Sequence, residues 1–146
     1  MTMIGKYKIK NKKKYKGNPN NIVYRSSWER RFMIFCDEHS SILEWSSEEF
    51  SIPYRSPIDG KIHRYFPDFI IKKKTKSGEM ETMMIEIKPK SQVKKPKNSK
   101  FGIKEKKILN ENIRWQINNA KWSSAKIFCE KYGWIFKIIT EKELNL

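Results

Sequence analysis

Three charged residues in the middle of the chain have the types and spacing that a divalent-metal site needs. Asp68 directly follows Pro67, and Glu86-Ile87-Lys88 comes later, at the end of an apolar run. Alternation along a strand puts Glu86 and Lys88 on one face and turns Ile87 to the other. A carboxylate and an ammonium are costly to bury in an apolar strand, which indicates that they have a chemical role.

The spacing of the two acids predicts that they face each other across a β-hairpin. If the chain turns through Lys76-Ser77-Gly78 with Gly78 in the left-handed conformation, Asp68 stands opposite Glu86, with about 5 Å between their Cβ atoms. Adjacent carboxylates repel each other, and a bound cation such as Mg²⁺ or Mn²⁺ removes that penalty. A cross-strand ion pair between Asp68 and Lys88 is an equally good interpretation of the same residues.

A third acid, Glu29, lies at the predicted start of a helix. Ser26-Ser27-Trp28-Glu29 has the form of a capping box, and the apolar residues after it predict a helix that ends near His39. The local sequence favours a structural role, in which the Glu29 carboxylate accepts a hydrogen bond from the Ser26 amide. Glu29 also borders the apolar face of this helix, so a position next to the sheet is the alternative.

The elements that must position these residues are strands followed by helices. After the first helix the sequence predicts strand Ile42–Tyr54, strands Lys61–Lys73 and Glu79–Lys88, a Lys-rich loop Pro89–Lys100, a helix through Asn119–Tyr132 and a last strand Trp134–Thr140. This order is typical of an α/β fold with one mixed sheet of about four strands and helices on its faces. We expect residues 1–20 to form a basic N-terminal arm, partly ordered at most, and residues 21–146 to form a single domain with a basic loop at 89–100.

The net charge of the chain indicates nucleic acid as a partner. Its 32 Lys and Arg residues against 16 Asp and Glu give +16, and basic side chains that bind phosphates release condensed counterions. Compositional drift towards lysine is the alternative, although the surplus is clustered. The candidate phosphate contacts are Arg25, His63, Arg64, Lys90, Lys94, Lys95, Lys97 and Lys100. The alternatives are that His63 has no chemical role and that the loop lysines only keep the protein in solution.

Membrane proteins, secreted proteins and zinc proteins do not fit the sequence. No apolar run is long enough to span a membrane, and the amino terminus lacks the apolar core of a secretory signal. Cys36 and Cys129 stand alone, without the spacing of a zinc site, and are expected to be core residues in a reducing compartment. We therefore expect a soluble, intracellular protein that is not secreted and has no membrane partner.

Three short motifs together resemble the PD-(D/E)xK nuclease superfamily. They are Tyr24-Arg25-Ser26-Ser27-Trp28-Glu29, Arg64-Tyr65-Phe66-Pro67-Asp68-Phe69 and Ile85-Glu86-Ile87-Lys88-Pro89. More closely, nearly the whole chain resembles the head completion nucleases of T-even-like tailed bacteriophages. A more distant resemblance is to the catalytic subunit of heteromeric transposases. The resemblance implies a restriction-endonuclease-like core.

The resemblance also implies a role for each candidate residue. Glu29 would be the catalytic acid carried by the first helix, in place of the cap or in addition to it. Asp68 and Glu86 would bind Mg²⁺ or Mn²⁺, with Glu29 as a further ligand. The backbone carbonyl of Ile87 would also face the metal, and Lys88 would orient and activate the attacking water.

The function implied by the resemblance is metal-dependent endonucleolytic hydrolysis of DNA phosphodiester bonds, which processes packaged DNA while a phage head is completed. Candidate partners besides DNA are phage head, portal or neck proteins and a second copy of the chain. The expected location is the cytoplasm of the infected host, with the virion as a second candidate. Two rival functions stay open: a structural DNA-binding head or neck component with incidental or no cleavage, and a transposition-type endonuclease subunit.

Overall fold

A central sheet flanked by helices forms the core of the computed structural model, which describes residues 2–96 and 105–144. The strands in these residues are β1 (Thr2–Lys6), β2 (Val23–Ser26), β3 (Ile42–Ser47), β4 (Ile52–Arg55), β5 (Ile62–Tyr65), β6 (Phe69–Lys74), β7 (Met80–Ile87) and β8 (Ile135–Ile139). The helices are α1 (Ser27–Glu38), the short α2 (Lys90–Val93) and the long α3 (Glu105–Tyr132). A single 3₁₀ turn covers Lys12–Lys14.

Strands β3, β6, β7 and β8 form the central sheet, in that order. Strand β6 is antiparallel to both of its neighbours, β3 and β7, while β8 runs parallel to β7. The predicted mixed sheet of about four strands is therefore confirmed. Within the described residues, β1–β2 and β4–β5 form two further antiparallel pairs. None of the helices in this part of the chain is both long and apolar enough to cross a membrane.

The hairpin between β6 and β7 has the predicted register. Phe69 pairs with Ile85, so the next pair of positions is Asp68 and Glu86, as the turn through Gly78 predicted. Gly78 has a left-handed φ of 88°, which glycine adopts without steric cost. Local turn chemistry therefore brings the two acids to the same end of the sheet.

Two predicted strands are each divided in two. The segment Ile42–Tyr54 separates into β3 and β4, which belong to different sheets, and Lys61–Lys73 separates into β5 and β6. The second break includes Pro67. Proline interrupts a strand because it has no N–H to donate to the strand ladder. Pro67 is fully buried, and β6 begins two residues later, directly after Asp68.

The second half of the chain also differs from the prediction. The helix predicted through Asn119–Tyr132 begins earlier, at Glu105, and its additional turns contain neither Gly nor Pro to interrupt them. The loop predicted at Pro89–Lys100 contains the short helix α2, and its residues 97–100 lie outside the described part of the chain. The first helix has its predicted bounds, with Ser26 as the N-cap.

The two faces of the central sheet pack against different elements. On β7, Ile85 contributes to the core that contains α1, whereas Met84 contributes to the core that contains Trp122 of α3 and the β4–β5 pair. Helices therefore cover both faces, as predicted. Cys36 and Cys129 are buried free thiols, one in each core, which confirms the prediction that they are core residues.

The described part of the N-terminal segment, residues 2–20, packs against the sheet and α1 instead of forming the expected partly ordered arm. Tyr7 and Tyr15 are buried in the core that contains α1. The anchor is the buried carboxylate of Asp37, which accepts hydrogen bonds from the Tyr7 hydroxyl at 2.6 Å and from the N–H groups of Lys10 and Asn11 at 2.9 Å. Burial alone would raise the pKa of Asp37, but these bonds hold it below its ordinary value.

Candidate metal centre

Three neighbouring strands of the central sheet carry a carboxylate at the same end. Ser47, the last residue of β3, pairs with Phe69, the first residue of β6, and the N–H of Glu48 donates to the carbonyl of Asp68 at 3.2 Å. On its other side, Asp68 is opposite Glu86 of β7. Glu48, Asp68 and Glu86 therefore form a row across three strands, of which the sequence predicted the last two.

The start of α1 brings a fourth carboxylate to this row. Glu29, Glu48 and Asp68 each offer a carboxylate oxygen, and these three oxygens lie within 4.8 Å of one another. All three residues are partly buried. Oxygen atoms from several carboxylates are the ligands that hard divalent cations prefer, so the donor set fits Mg²⁺ or Mn²⁺.

The helix cap positions Glu29. The Ser26 Oγ accepts a hydrogen bond from the Glu29 N–H at 3.1 Å, as a capping box requires. The returning bond differs from the expectation, because the Glu29 carboxylate accepts from the Arg25 N–H at 3.4 Å and not from the Ser26 N–H. A bond of 3.4 Å is long, so the Glu29 carboxylate contributes little to the cap. It belongs instead to the acidic group that Glu29 forms with Glu48 and Asp68.

The charge on the acidic group is incompletely balanced by its surroundings. Burial and the charge of Asp68, with a smaller effect of Glu48, raise the pKa of the Glu29 carboxyl to about 7. The N–H and the positive charge of Arg25 oppose this rise only in part. A cation placed among these carboxylates would favour their ionised forms.

Asp68 is oriented by the backbone of the neighbouring strand. The Ile87 N–H donates to Asp68 Oδ2 at 2.7 Å. Burial and the nearby Glu86 carboxylate raise the pKa of Asp68 well above its ordinary value, and the Ile87 N–H and Lys88 offset only part of that rise. Among the described residues, no ion pair within 4.0 Å joins Lys88 to Asp68, so the structure does not contain the ion pair that was the alternative.

Glu86 and Lys88 continue the face of β7 that α3 covers. Alternation groups them with Met84, while Ile87 faces the core that contains α1. Glu86 is buried, and its carboxylate accepts a hydrogen bond from the Tyr65 hydroxyl. Burial and the charge of Glu86 strongly raise the pKa of Tyr65, so the hydroxyl stays protonated and remains a donor.

Glu48 is not among the site residues that the sequence predicts. It has a left-handed φ of 54°, which is uncommon for a residue with a side chain and is found at functional sites. Its carboxylate pairs with the Arg25 guanidinium, at 3.0 Å from Nε and 3.2 Å from Nη2. The next acid, Glu49, instead accepts a hydrogen bond from the Tyr15 hydroxyl at 2.8 Å. No local signal in the sequence distinguishes these two glutamates.

Two predicted phosphate contacts are engaged within the β4–β5 region. His63 pairs with Asp59 at 2.7 Å, and the Arg64 guanidinium donates to Ser51 Oγ at 2.6 Å. Both side chains therefore already have polar partners, and neither is a member of the acidic group.

The basic loop begins beside α3. Lys90 is exposed in α2, and a groove between this segment and α3 is lined in part by Lys94, Lys95, Arg114 and Trp115. Lys97 and Lys100 lie outside the described residues. The groove therefore also contains Arg114 of α3, which is not among the predicted phosphate contacts, together with the acid Glu111.

Comparison with known proteins identifies the family to which this chain belongs. Residues 39–141 match the family described as TnsA-like endonuclease N terminal, and the chain belongs to this family, which confirms the restriction-endonuclease-like core. The chain is also 40% identical to the head completion nuclease of Enterobacteria phage T4, over 148 residues that cover 99% of this chain and 95% of that protein. The similarity to the phage T4 protein includes α1 and therefore Glu29, whereas the family match begins after α1.

Proposed function

We propose that the protein is a divalent-metal-dependent endodeoxyribonuclease that processes DNA while a phage head is completed. Membership of an endonuclease family supports the reaction class, and the similarity to a phage head completion nuclease supports the biological setting. One observation carries the proposal: carboxylate oxygens of Glu29, Glu48 and Asp68 lie within 4.8 Å of one another, at the end of the sheet from which Lys88 extends.

The proposed metal centre is made entirely of oxygen donors. They are the carboxylates of Glu29, Glu48, Asp68 and Glu86 and the backbone carbonyl of Ile87. Bound there, Mg²⁺ or Mn²⁺ would lower the pKa of a water molecule and polarise a phosphoryl oxygen. The Arg25 guanidinium balances part of the charge of Glu48 until a cation or a phosphate competes for either partner.

The remaining roles are assigned to Lys88 and to the groups that hydrogen-bond to the acids. Lys88 would orient the attacking water and stabilise the negative charge that develops on the phosphate. The Ile87 N–H restrains Asp68, and the Tyr65 hydroxyl restrains Glu86. These bonds hold both acids in place before the substrate arrives, which is the preorganisation that an electrostatic mechanism requires.

DNA is proposed as the substrate because the chain carries a net charge of +16. Lys94 and Lys95 would bind backbone phosphates without reading sequence, since an ammonium is a point charge. We further propose that the protein acts in the cytoplasm of the infected host and contacts proteins of the phage head or neck, because head completion takes place there.

A plasmid-nicking assay tests this proposal. Supercoiled plasmid is incubated with the wild type, with Asp68→Ala and with Glu81→Ala, in Mg²⁺, Mn²⁺ or EDTA. Glu81 is a matched control, because it lies on β7 but pairs with Lys73 at 3.9 Å, far along the strand from Glu86. We expect nicking only with metal, unchanged in Glu81→Ala and reduced by about 100-fold or more in Asp68→Ala.

Two results would decide against the proposal. The first is nicking in EDTA at the rate seen with Mg²⁺, and the second is full activity in a folded Asp68→Ala variant. DNA binding without cleavage under every condition would favour the structural head or neck component instead.

A further inference from the structure

Helix α3 brings a lysine to the face of the sheet that carries Glu86. The buried residues of this helix are Asn118, Trp122, Ala125 and Cys129. Lys121 lies three positions after Asn118 and four before Ala125, so its side chain borders this buried stripe. It is partly buried, in contrast to Lys126 on the same helix, which is exposed.

The Lys121 ammonium is held by aromatic rings. Its Nζ lies 5.8 Å from the ring centroid of Tyr54 and 5.7 Å from that of Tyr65, which is within the range of a cation–π contact. Within residues 2–96 and 105–144, no carboxylate oxygen is within 4.0 Å of this Nζ. An ammonium has three donors, and the rings use none of them for a conventional hydrogen bond.

The position of Lys121 relates it to the metal centre. The Tyr65 hydroxyl donates to the Glu86 carboxylate, so a single tyrosine connects the ammonium to one of the proposed metal ligands. Burial lowers the pKa of Lys121, while the negative charges of Glu86 and Asp68 raise it and Lys88 lowers it. The ammonium is therefore in the electrostatic field of the centre, on the side of α3, whereas Glu29 approaches from α1.

We propose that Lys121 binds a phosphate of the DNA strand that is cleaved, and so positions that strand across the metal centre. This inference rests on the proposed nuclease function. A phosphate oxygen would accept the hydrogen bonds that the tyrosine rings leave unmade, and the two rings would hold the ammonium in one direction before DNA arrives. Lysine suits this contact because a phosphate in the backbone requires charge and reach, not base recognition.

The test combines a side-chain change with a neutral phosphate. Binding of a short duplex is measured in EDTA by fluorescence anisotropy, and a series of duplexes carries one uncharged methylphosphonate at successive positions. Lys121→Met removes the charge and keeps much of the apolar stem, and Lys126→Met is the matched control. We expect Lys121→Met to weaken binding about ten-fold and to become insensitive to the methylphosphonate at one position, while Lys126→Met keeps the wild-type profile.

Lys121→Arg separates contact with phosphate from a structural role. Arginine preserves the charge and the donors, so the sensitivity to that same methylphosphonate should return even if Lys121→Met is unstable. A wild-type profile of sensitivity in folded Lys121→Met, or loss of the sensitivity in folded Lys121→Arg, would overturn the inference alone. If the wild type neither binds nor nicks unmodified DNA with metal present, the proposed function fails and this inference fails with it.

Discussion

Glu48 and Asp68 stand side by side at the ends of antiparallel strands, with the Glu48 N–H donating to the Asp68 carbonyl at 3.2 Å. Their carboxylate oxygens lie within 4.8 Å of each other and of a Glu29 oxygen. The strand pairing fixes the backbones of both residues next to each other. The Arg25 guanidinium balances part of the charge of Glu48, and a cation among the three carboxylates should stabilise the protein further.

The first prediction follows from this pair. Mg²⁺ or Mn²⁺ should raise the melting temperature of the wild type, with a gain of about 2.7 kcal/mol at one hundred times the dissociation constant. Glu48→Gln should remove most of this response, because it removes a charged ligand. Differential scanning calorimetry with and without metal measures the effect.

A second variant and a control make the result specific to the Glu48 side chain. Glu48→Gly suits the left-handed φ of 54°, so the metal-free variant should be at least as stable as Glu48→Gln while still lacking the metal response. Glu44→Gln, on β3, which ends just before Glu48, changes an acid that pairs with Lys16 and should respond to metal like the wild type. A full metal response in both Glu48 variants would remove Glu48 from the centre.

The second prediction separates the cap from the metal centre at the start of α1. Ser26→Ala removes the acceptor for the Glu29 N–H and should cost about 1 kcal/mol of stability without abolishing cleavage. Glu29→Gln keeps the amide carbonyl for the weak bond to Arg25, so it should change the metal-free melting temperature little and reduce nicking by orders of magnitude. Full nicking activity in folded Glu29→Gln would return Glu29 to a purely structural role.

The third prediction concerns pH. The pKa of Glu29 rises from 4.5 to about 7 on folding, so between these values the folded state binds more protons than the unfolded state. The stability gained from this group is present below pH 4.5 and is lost as the pH rises through 7. The raised pKa of Asp68 acts in the same direction.

Melting in EDTA across this pH range measures the effect. The melting temperature of the wild type should fall as the pH rises, and the fall should be smaller in Glu29→Gln. Saturating Mg²⁺ should reduce or reverse it, because the ionised carboxylates bind the cation. A slope in EDTA that is the same in wild type and Glu29→Gln would show that this pKa shift is absent.

The fourth prediction concerns the groove beside α3. Lys94 and Lys95 line it, and replacing both with Gln should weaken binding to every DNA sequence alike. The slope of log K against log salt should flatten by up to about 1.8 for duplex DNA. Replacing Lys126 and Lys131, both exposed on α3, serves as the control. If the slope is unchanged and affinity is intact in the first variant, these two lysines only keep the protein in solution.

The sequence predicted those parts of the proposed metal centre that depend on local signals. Gly78 and strand alternation were enough to place Asp68 opposite Glu86, and Ser26 was enough to begin α1. Hairpin turns and helix caps are determined by residues a few positions apart, which explains why these features can be read from the chain.

The features that the sequence did not predict depend on contacts between distant segments. Glu48 lies beside Asp68 only because β3 pairs with β6, and the predicted strand through this region did not contain the break that follows Ser47. The packing of residues 2–20 similarly depends on the bond between Tyr7 and Asp37. Their high lysine content indicated a solvated arm, but two buried tyrosines decide where the segment packs.

The fifth prediction tests the central claim that one metal centre performs the cleavage. Mn²⁺ binding is followed by electron paramagnetic resonance, and plasmid nicking is measured over the same range of Mn²⁺ concentration. For the wild type, the two midpoints should coincide. Asp68→Asn should lose both binding and nicking while remaining as stable without metal as the wild type, or more so, because it removes the repulsion around Asp68. Asp68→Asn that no longer binds Mn²⁺ but nicks DNA at the wild-type rate would contradict the account.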